Sequence, residues 1–370
     1  MEWGPSDSKQ VSVEKYRRVA LWNSWKGVNK RMKKVTIRDV AKYAGVSIAT
    51  VSAVINGKNI VAPDTRAEVL KAIKKLNYQP KGTARNLKRE KLKLIGFVIK
   101  EMDNPFFASV VMGAEEYANS KGYSLLVAHS EGDYLKEKGA VESFVSKDFS
   151  GCIISNVVED PADIAHLFNL KMLNYPFVLM ENIRGVQTNV VSIDNVKATK
   201  TAMQYLFDIG HSKILFFSGP PYSYHSFERQ NGFREAFSEC TFAFNEKDMV
   251  IPVGAHMEEG YRAGIKYFKN ETRDATAIVC FNDLVAVGLI RALVELNIPV
   301  PEEISVIGHD DIDLARLWPV PLTTMSTPKR ELGKKLAEIL IKNIESPENH
   351  EFEKVKLEPK LVIRDSTAAV

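Results

Sequence analysis

Cysteine is scarce in this chain of 370 residues, which contains only three. Cys152, Cys240 and Cys280 are widely spaced and odd in number, so they fit neither a disulfide framework nor a clustered metal site. We therefore expect buried thiols in a reducing cytoplasm, with no metal site and no cofactor.

Long hydrophobic runs are also missing. No apolar run approaches the roughly 18 residues needed to span a membrane, and the N-terminus lacks the apolar segment of a secretory signal. These absences predict a cytoplasmic protein with no membrane partner. They also argue against the alternative of a free-standing exported solute-binding protein, which would need an export signal.

Recognisable catalytic motifs are absent from the sequence. No G-x-G-x-x-G opens a helix after a strand, there is no P-loop, and Gly219-Pro220-Pro221 lacks the required glycine spacing. No Ser/His/Asp or Cys/His set can be recognised. We therefore predict that the protein has no catalytic residues and is not an enzyme. The main alternative is a dehydrogenase, because alternating strands and helices also suggest that fold.

The charges are distributed unevenly along the chain. The formal net charge is only +4, but residues 1–93 hold 22 Lys and Arg against 7 Asp and Glu, a net of +15. Residues 94–370 therefore have a net charge of −11. Such asymmetry predicts a polyanion-binding end joined to a body with another task, and the alternative is a basic disordered tail.

Residues 36–78 show the periodicity of three short helices, which is enough for a minimal domain. Thr36 can cap the first helix, Gly45 ends it, Ser47 can cap the second, and Pro63 suits the first turn of the third. The apolar residues expected to face inward on the second and third helices are Val51, Val54, Ile55, Val69, Leu70, Ile73 and Leu76.

The order helix, glycine-containing turn, helix is the layout of a helix-turn-helix, whose second helix fits the major groove of DNA. Side chains there that can bond phosphates are Ser47, Thr50, Ser52 and Asn56. Those expected to approach base edges, because they fall off the inward face, are Ile48, Ala49 and Ala53. Because these three lack polar groups, we expect thymine-methyl contacts and DNA deformability to carry much of the specificity.

From residue 94 onward, short apolar runs alternate with amphipathic helical stretches. The predicted strands are Leu94–Ile99, Ser124–His129, Cys152–Ser155, Phe177–Met180, Val190–Ile193, Lys213–Gly219, Ala277–Asn282, Ile304–Gly308 and a last run, Lys356–Ile363. The clearest helices between them are Phe106–Lys121, Val196–Gly210 and Leu284–Asn297. This alternation predicts parallel sheets covered on both faces, and the length favours two lobes.

Ordered motifs along residues 33–367 give the chain a specific resemblance. Val35 to Gly57 (VTIRDVAKYAGVSIATVSAVING) resembles the N-terminal signature of the LacI/GalR family of bacterial transcriptional regulators. The resemblance continues through Leu76–Pro80, Ala84–Leu87, Asn104–Phe107, Gly210-His211, Glu228-Arg229, Gly232-Phe233, Asn282-Asp283, Gly308–Asp311 and Pro321–Thr324. It implies an N-terminal all-α helix-turn-helix domain joined to an α/β body of two lobes, similar to periplasmic binding proteins.

The same resemblance implies a homodimer on near-palindromic operator DNA, with the second helix of each subunit in a half-site. We add Thr36 to the residues expected to contact DNA. The resemblance also implies that the linker forms a hinge helix when the protein binds DNA. Ala84 and Arg85 flank Leu87, which the resemblance makes a lever between base steps in the minor groove. The alternative for Leu87 is a hydrophobic contact between linker and body.

Polar side chains follow the predicted strands, at the edge where open α/β sheets bind ligands. Carboxylates, amides and an arginine at such an edge suit a polyhydroxylated molecule. The resemblance implies that the core effector contacts are Arg229, Asn282 and Asp310, with secondary candidates Phe106, Ser130, Ser155 and Glu181. It thus implies a repressor whose operator affinity is controlled by a small molecule, a sugar or sugar derivative; both induction and corepression remain open.

Some of these residues have structural alternatives. Asp283 can cap the helix that follows it, and Arg229 can form a surface ion pair. Phe106 and Phe107 can both be core residues, but we expect one to pack in the core and the other to line the cleft. For His211, which follows a helix end, capping is favoured over ligand binding.

Two positions depart from the family's pattern. Ala255 stands where some sugar-binding relatives have an aromatic ring, and His309 stands where Phe or Tyr is common. We therefore expect either weaker stacking on a sugar ring than in those relatives, or an effector from a class of compound other than sugars.

The expected boundaries combine these patterns with the resemblance. They are an extension at 1–31, disordered or foreign to the native protein, a DNA-binding domain at 32–79, a hinge or linker at 80–93 and a body at 94–370. Within the body, we expect lobe one to comprise 94–193 and 328–355, and lobe two 194–327 and 356–370.

Overall fold

A computed structural model of the chain describes residues 35–55, 60–76, 78, 93–157, 164–183, 185–221, 223–270, 274–347 and 352–370. The chain forms two compact units, one within residues 1–90 and the other within residues 91–370. The expected extension, most of the expected linker, and the predicted DNA contacts Asn56, Ala84, Arg85 and Leu87 lie outside the described residues.

The N-terminal unit contains the three predicted helices. They are α1 (Ile37–Ala44), α2 (Ile48–Ile55) and α3 (Pro63–Lys75). Their shared core consists of Val40, Ala41, Val51, Val54, Val69 and Ala72. Burial of these small and β-branched side chains stabilises helices that would be too short to persist alone in water.

The predicted helix ends are confirmed. The N–H of Thr36 donates to Asp39 Oδ2 over 2.8 Å, and its hydroxyl donates to the same oxygen over 2.7 Å. Gly45 follows α1 with a φ of +63°, a conformation that glycine adopts without steric cost. The hydroxyl of Ser47 accepts the N–H of Thr50 over 3.0 Å at the start of α2.

Two expected orientations in this unit are wrong. Leu70 is 53% exposed. It is one residue, about 100° around the helix, from the buried Val69, and Ala72 takes the inward position instead. Ala53, expected on the outer face of α2, is only 8% exposed. A single methyl group lies close to the helix backbone, where longer neighbouring side chains can shield it.

The described residues of the body form two six-stranded sheets. The first has the order β11-β5-β4-β3-β1-β2 and consists of β1 (Leu94–Ile99), β2 (Ser124–His129), β3 (Gly151–Ile154), β4 (Phe177–Leu179), β5 (Asn189–Ile193) and β11 (Lys354–Leu357). The second has the order β12-β10-β9-β8-β6-β7 and consists of β6 (Ile214–Ser218), β7 (Val250–Pro252), β8 (Ala277–Cys280), β9 (Ser305–Asp310), β10 (Thr323–Ser326) and β12 (Lys360–Val362). All strand pairs are parallel except β10 with β12.

Helices connect these strands and cover both faces of each sheet. They are α4 (Pro105–Ser120), α5 (Tyr134–Ser146), α6 (Ala165–Met172), α7 (Asn195–Asp208), α8 (Tyr224–Ser238), α9 (Glu246–Met249), α10 (Met257–Asn270), α11 (Asp283–Glu295), α12 (Asp313–Leu317) and α13 (Lys329–Glu345). Successive residues of β1 point to opposite faces, so Phe97 and Val98 belong to different hydrophobic clusters. The predicted covering of both faces is confirmed.

The chain passes between the two lobes three times, after β5, after β10 and after β11. The third crossing differs from the expected break after residue 355, because Lys356 and Leu357 still pair with Ser192 and Ile193 in the first sheet. The apparent single run is interrupted at Pro359, which has no N–H to continue a ladder. β11 and β12 therefore belong to different sheets.

The helix α13 returns to the first lobe and packs closely on α4. A Cβ atom added at Gly113 would lie 2.1 Å from the backbone oxygen of Arg330, so only glycine permits this approach. Among the described helices, none is both long and apolar enough to cross a membrane.

Candidate effector cleft and DNA-reading helix

A small cavity lies between the two lobes, at the carboxyl ends of strands from both sheets. The first lobe contributes Lys100, Glu101, Asn104, Phe106 and Phe107, and the second contributes His225, Arg229, Ala255, Phe281, Asn282 and Asp310, among others. The enclosed space is about 40 Å³. This holds only a few water molecules, so a larger ligand requires the lobes or the lining side chains to move apart.

In the first lobe, the carboxylate of Glu181 organises the polar groups. It accepts from Lys100 Nζ over 2.6 Å, from the hydroxyl of Ser155 over 3.2 Å, and from the backbone N–H of Asn156 over 3.0 Å. The side chains of Lys100 and Glu181 are 5% and 0% exposed. Across the cleft, Nε2 of His225 lies 3.3 Å from Glu181 Oε1 but outside hydrogen-bonding geometry. Ser155 and Glu181 thus support Lys100 from behind the cavity wall.

In the second lobe, Arg229 and Asp310 form the corresponding buried pair, with a 3.3 Å distance between Nη2 and Oδ1. Nε of Arg229 donates to Asn195 Oδ1 over 2.9 Å, and Nη1 donates to the backbone oxygen of Phe281. The guanidinium also lies 4.8 Å from the centre of the Phe281 ring. Because Arg229 is only 4% exposed, its alternative interpretation as a surface ion pair is wrong.

His309 completes this group, since its Nδ1 lies 2.9 Å from Asp310 Oδ1. Burial and the positive charge of Arg229 lower the pKa of His309 to about 4. Burial and the nearby charges of Lys100 and Arg229 hold the pKa of His225 well below its usual value. Burial alone would raise the pKa of Asp310, but Arg229 and its other neighbours reverse this and lower it. At neutral pH two neutral imidazoles therefore lie near the ionised carboxylate of Asp310, and of these two only His225 is among the cavity residues.

Asn282, and not Asp283, caps the helix that begins after β8. Its Oδ1 accepts the N–H of Val285 over 2.9 Å, and its Nδ2 donates to the backbone oxygen of Ala255 over 2.8 Å. Asn282 has the extended backbone of a capping residue, with φ −147°, whereas Asp283 is already helical. The capping alternative for Asp283 is therefore wrong.

The carboxyl group of Asp283 is fully buried beneath the cleft. It accepts the hydroxyl of Thr324 over 2.6 Å and the N–H of Ile312 over 2.8 Å. Burial and the negative charge of Asp310 raise the pKa of Asp283 to about 8. Burial thus favours the protonated form of this carboxyl group.

The remaining predicted effector residues have different positions. Phe106 and Phe107 both line the cavity and both belong to the hydrophobic core, with edge-to-face rings 5.2 Å apart. Ser130 is not among the cavity residues, and its buried hydroxyl bonds to the backbone oxygen of Ile99 over 3.4 Å. Its position at the end of β2 is one strand away from the cavity, because β2 is an edge strand.

Lys100, Glu101 and His225 were missed by the sequence analysis. Lys100 and Glu101 directly follow β1, so the same strand-end rule that selected other residues could have found them. His225 lies on α8, four residues before Arg229, and no local pattern distinguishes it. By contrast, His211 is confirmed as a helix-end residue. Its backbone N–H donates to the backbone oxygen of Leu206, and Nδ1 of its ring shares a hydrogen bond with the hydroxyl of Thr276.

The outer side of α2 presents a mostly apolar surface. Ile48 is 45% exposed and Ala49 is also exposed, whereas Thr50 and Ser52 are half-buried. The hydroxyls of Ser47 and Thr50 lie 2.9 Å apart and share a hydrogen bond. The roles of these residues and of Thr36 on DNA remain predictions.

Comparisons with known proteins follow the two units. Residues 36–81 match the family described as "Bacterial regulatory proteins, lacI family", and residues 203–367 match a "Periplasmic binding protein-like domain". A transcriptional repressor, PurR of Photobacterium profundum, is 36% identical over 334 residues, 90% of this chain and 98% of that protein. The chain belongs to the LacI family.

Solved structures of this family have the same fold. The lac repressor dimer bound to operator and the anti-inducer ONPF is 27% identical, with a TM-score of 0.77 over 91% of this chain and 100% of that one. A LacI family regulator from Enterococcus faecium with bound ribose is 26% identical, with a TM-score of 0.66 over 75% of this chain and 100% of that one. The chain is therefore a DNA-binding transcriptional regulator with a helix-turn-helix unit and an effector-binding body.

Proposed function

We propose that this LacI-family regulator is a homodimeric repressor that binds near-palindromic operator DNA in the bacterial cytoplasm. A sugar or sugar derivative in the interlobe cleft controls its operator affinity. The protein is not an enzyme and needs no metal or cofactor for this function. Leu87, flanked by Ala84 and Arg85 in the hinge, acts as the minor-groove lever.

The observation that carries this proposal is the convergence of two buried ion pairs, one from each lobe, on one cavity. Lys100 and Glu181 belong to the first lobe, and Arg229 and Asp310 belong to the second. A ligand between them contacts both lobes, so its affinity depends on their relative orientation. This differential affinity is what couples a ligand to a conformational equilibrium.

The DNA-binding part rests on α2 and on charge. The helix exposes Ile48 and Ala49 after a tight glycine turn, and residues 1–93 have a net charge of +15. A basic unit attracts phosphates, while the body, with a net charge of −11, should be repelled by DNA. The operator-bound lac repressor dimer, which has the same fold, supports both the operator and the homodimer.

The test starts with selection of DNA sites from a random library by the full-length protein. We expect a near-palindromic consensus, bound at physiological salt far more tightly than unrelated DNA. Binding that is independent of sequence would contradict the proposal. Sedimentation of the protein with the selected site should give two chains per DNA duplex.

The effector part is tested by a thermal-shift screen with sugars, sugar phosphates, nucleosides and purines. A compound that binds in the cleft should raise the melting temperature of the wild type and not of Arg229→Met or Asp310→Ala. Arg316→Met, at an exposed pair with Asp313, is the matched control and should retain the shift. Adding the compound to the operator complex then shows whether it releases or promotes DNA binding.

A further inference from the structure

A second cavity lies in the first lobe, at the amino ends of β4, β5 and β11, whereas the interlobe cleft lies at the carboxyl ends of strands. It encloses about 170 Å³, against about 40 Å³ in the cleft. Its described lining residues come from the ends of α6 and α13 and from the segments that lead into the three strands. Because all of these elements belong to the first lobe, a ligand can bind in this cavity whatever the orientation of the two lobes.

The size and the walls of this cavity suit one aromatic ring. An apolar cavity of roughly 150 Å³ is enough to hold a benzene molecule. Here the apolar walls include Pro176, Phe177, Pro347 and Phe352. Phe177 is buried, whereas Phe352 is 48% exposed. A single flat ring can therefore be removed from water by contact with these side chains.

Two buried residues of the cavity wall have hydrogen-bond donors to spare. Thr188 is 2% exposed and Asn189 is 5% exposed. Oδ1 of Asn189 accepts the N–H of Glu353 over 2.8 Å, which fixes the orientation of the amide. Within the described residues, neither Nδ2 of Asn189 nor the hydroxyl of Thr188 has a hydrogen-bond partner. Because buried donors without acceptors are costly, a ligand that brings acceptor oxygens is favoured here.

The backbone oxygens near the cavity, by contrast, already have donors. At the end of α6, the oxygen of Lys171 accepts the N–H of Asn174 over 3.0 Å. At the end of α13, the oxygen of Lys342 accepts the N–H of Ser346 over 2.9 Å. These caps leave the site richer in free donors than in free acceptors.

The charge of the cavity wall points in the same direction. Lys171 is cationic, and none of the described lining residues is acidic. Its ammonium nitrogen lies 5.6 Å from the centre of the Phe352 ring, and no described carboxylate lies within ion-pair distance of it. In the interlobe cleft, Lys100 and Arg229 are instead each paired with a buried carboxylate. An anion can therefore reach Lys171 without separating an ion pair of the described structure.

We propose that this cavity is a second ligand site of the regulator, and that it takes a small aromatic carboxylate of the size of benzoate. The ring lies among Pro176, Phe177 and Phe352, and the carboxylate accepts from Thr188 and Asn189 near the charge of Lys171. This site is independent of the proposed effector cleft, so each can fail without the other.

The test measures binding of benzoate to the full-length protein by calorimetry, with 4-fluorobenzoate observed by fluorine NMR as a second readout. Benzamide has the same ring without the charge, and acetate has the charge without the ring. At equal ionic strength we expect saturable binding of benzoate, with benzamide at least about tenfold weaker and acetate without saturable binding. Equal affinity for benzamide, or the absence of saturable benzoate binding at millimolar concentration, would overturn the proposal.

Substitutions in the wall locate the site. Lys171→Met and Thr188→Val should each weaken benzoate binding at least about tenfold, since each removes one contact to the carboxylate and keeps much of the volume of the side chain. Asn189→Asp keeps the acceptor for the N–H of Glu353 but replaces the donor with a negative charge, so benzoate binding should be lost. Lys138→Met, at an exposed pair with Glu142 in the same lobe, is the matched control and should bind as wild type does.

A variant of the interlobe cleft separates the two sites. Arg229→Met should bind benzoate with the affinity of the wild type, because Arg229 belongs to the second lobe and does not line this cavity. Loss of benzoate binding in Arg229→Met, together with full binding in Lys171→Met, would place benzoate in the cleft and contradict a second site.

Discussion

The ammonium group of Lys329 donates to the backbone oxygens of Asp310 and Asp311, with a distance of 2.8 Å to Asp311. Lys329 begins α13, which packs in the first lobe, whereas Asp310 ends β9 in the second lobe and Asp311 directly follows it. Both aspartates have positive φ angles, 106° and 54°, which cost energy in residues other than glycine. One side chain from the first lobe thus holds the backbone that presents the Asp310 carboxylate to Arg229.

Lys329→Met should loosen this connection. Because two charge-assisted hydrogen bonds are lost, we expect the free energy of unfolding in urea to fall by about 1–3 kcal/mol. Lys335→Met, on the same helix and paired with Glu338 at the surface, is the control and should change stability little. Equal effects of the two substitutions would show that the contact with Asp310 and Asp311 contributes nothing.

The pair of Arg229 and Asp310 should behave as a buried ion pair. We expect Arg229→Met and Asp310→Asn each to reduce the free energy of unfolding by about 3–5 kcal/mol, because each leaves the opposite charge buried. The double substitution should cost clearly less than the sum, as measured by a double-mutant cycle in urea. Strict additivity would mean that the two groups do not interact. Arg316→Met serves again as the exposed control.

Asp283 should make the stability of the body depend on pH in an unusual direction. Its pKa is about 8 in the folded protein against 3.8 for the free group, so the folded state binds the proton more tightly. This contribution to stability is complete below about pH 4 and is lost as the pH rises through 8.

Asp283→Asn should remove this dependence. As the pH rises from 5 to 7, the free energy of unfolding of the variant should increase relative to wild type by up to about 1.4 kcal/mol for each pH unit. Urea unfolding at each pH measures this difference. Asp313→Asn changes an exposed carboxylate, so the free energy of unfolding of this variant should depend on pH in the same way as that of the wild type. A constant difference between Asp283→Asn and wild type would contradict the raised pKa.

Ile48 should contact DNA through its apolar side chain. Ile48→Ala removes three carbon atoms from an exposed position, so folding stability should change little. Affinity for the selected operator should fall at least about fivefold as apolar contact is lost, measured by fluorescence anisotropy. Leu70→Ala is the matched control, because Leu70 lies on α3 and is 53% exposed, against 45% for Ile48. A similar loss in both variants would argue against α2 as the recognition helix.

Sequence alone determined the features that depend on local spacing. The three helices of the N-terminal unit, the glycine end of α1 and most strands of the body follow from periodicity and capping chemistry between residues a few positions apart. Local spacing failed at Ala53, whose burial depends on neighbouring side chains. It also failed at Pro359, where one strand-like run divides between two sheets.

Only the tertiary structure decided which polar residues meet. Lys100 and Glu181 are 81 residues apart in the chain, and so are Arg229 and Asp310. No local pattern encodes these pairs, because they form only when the sheets align their carboxyl ends and the lobes close around a common cavity. The same long-range packing shifts the pKa values of His309 and Asp283, since burial and neighbouring charge depend on the complete fold.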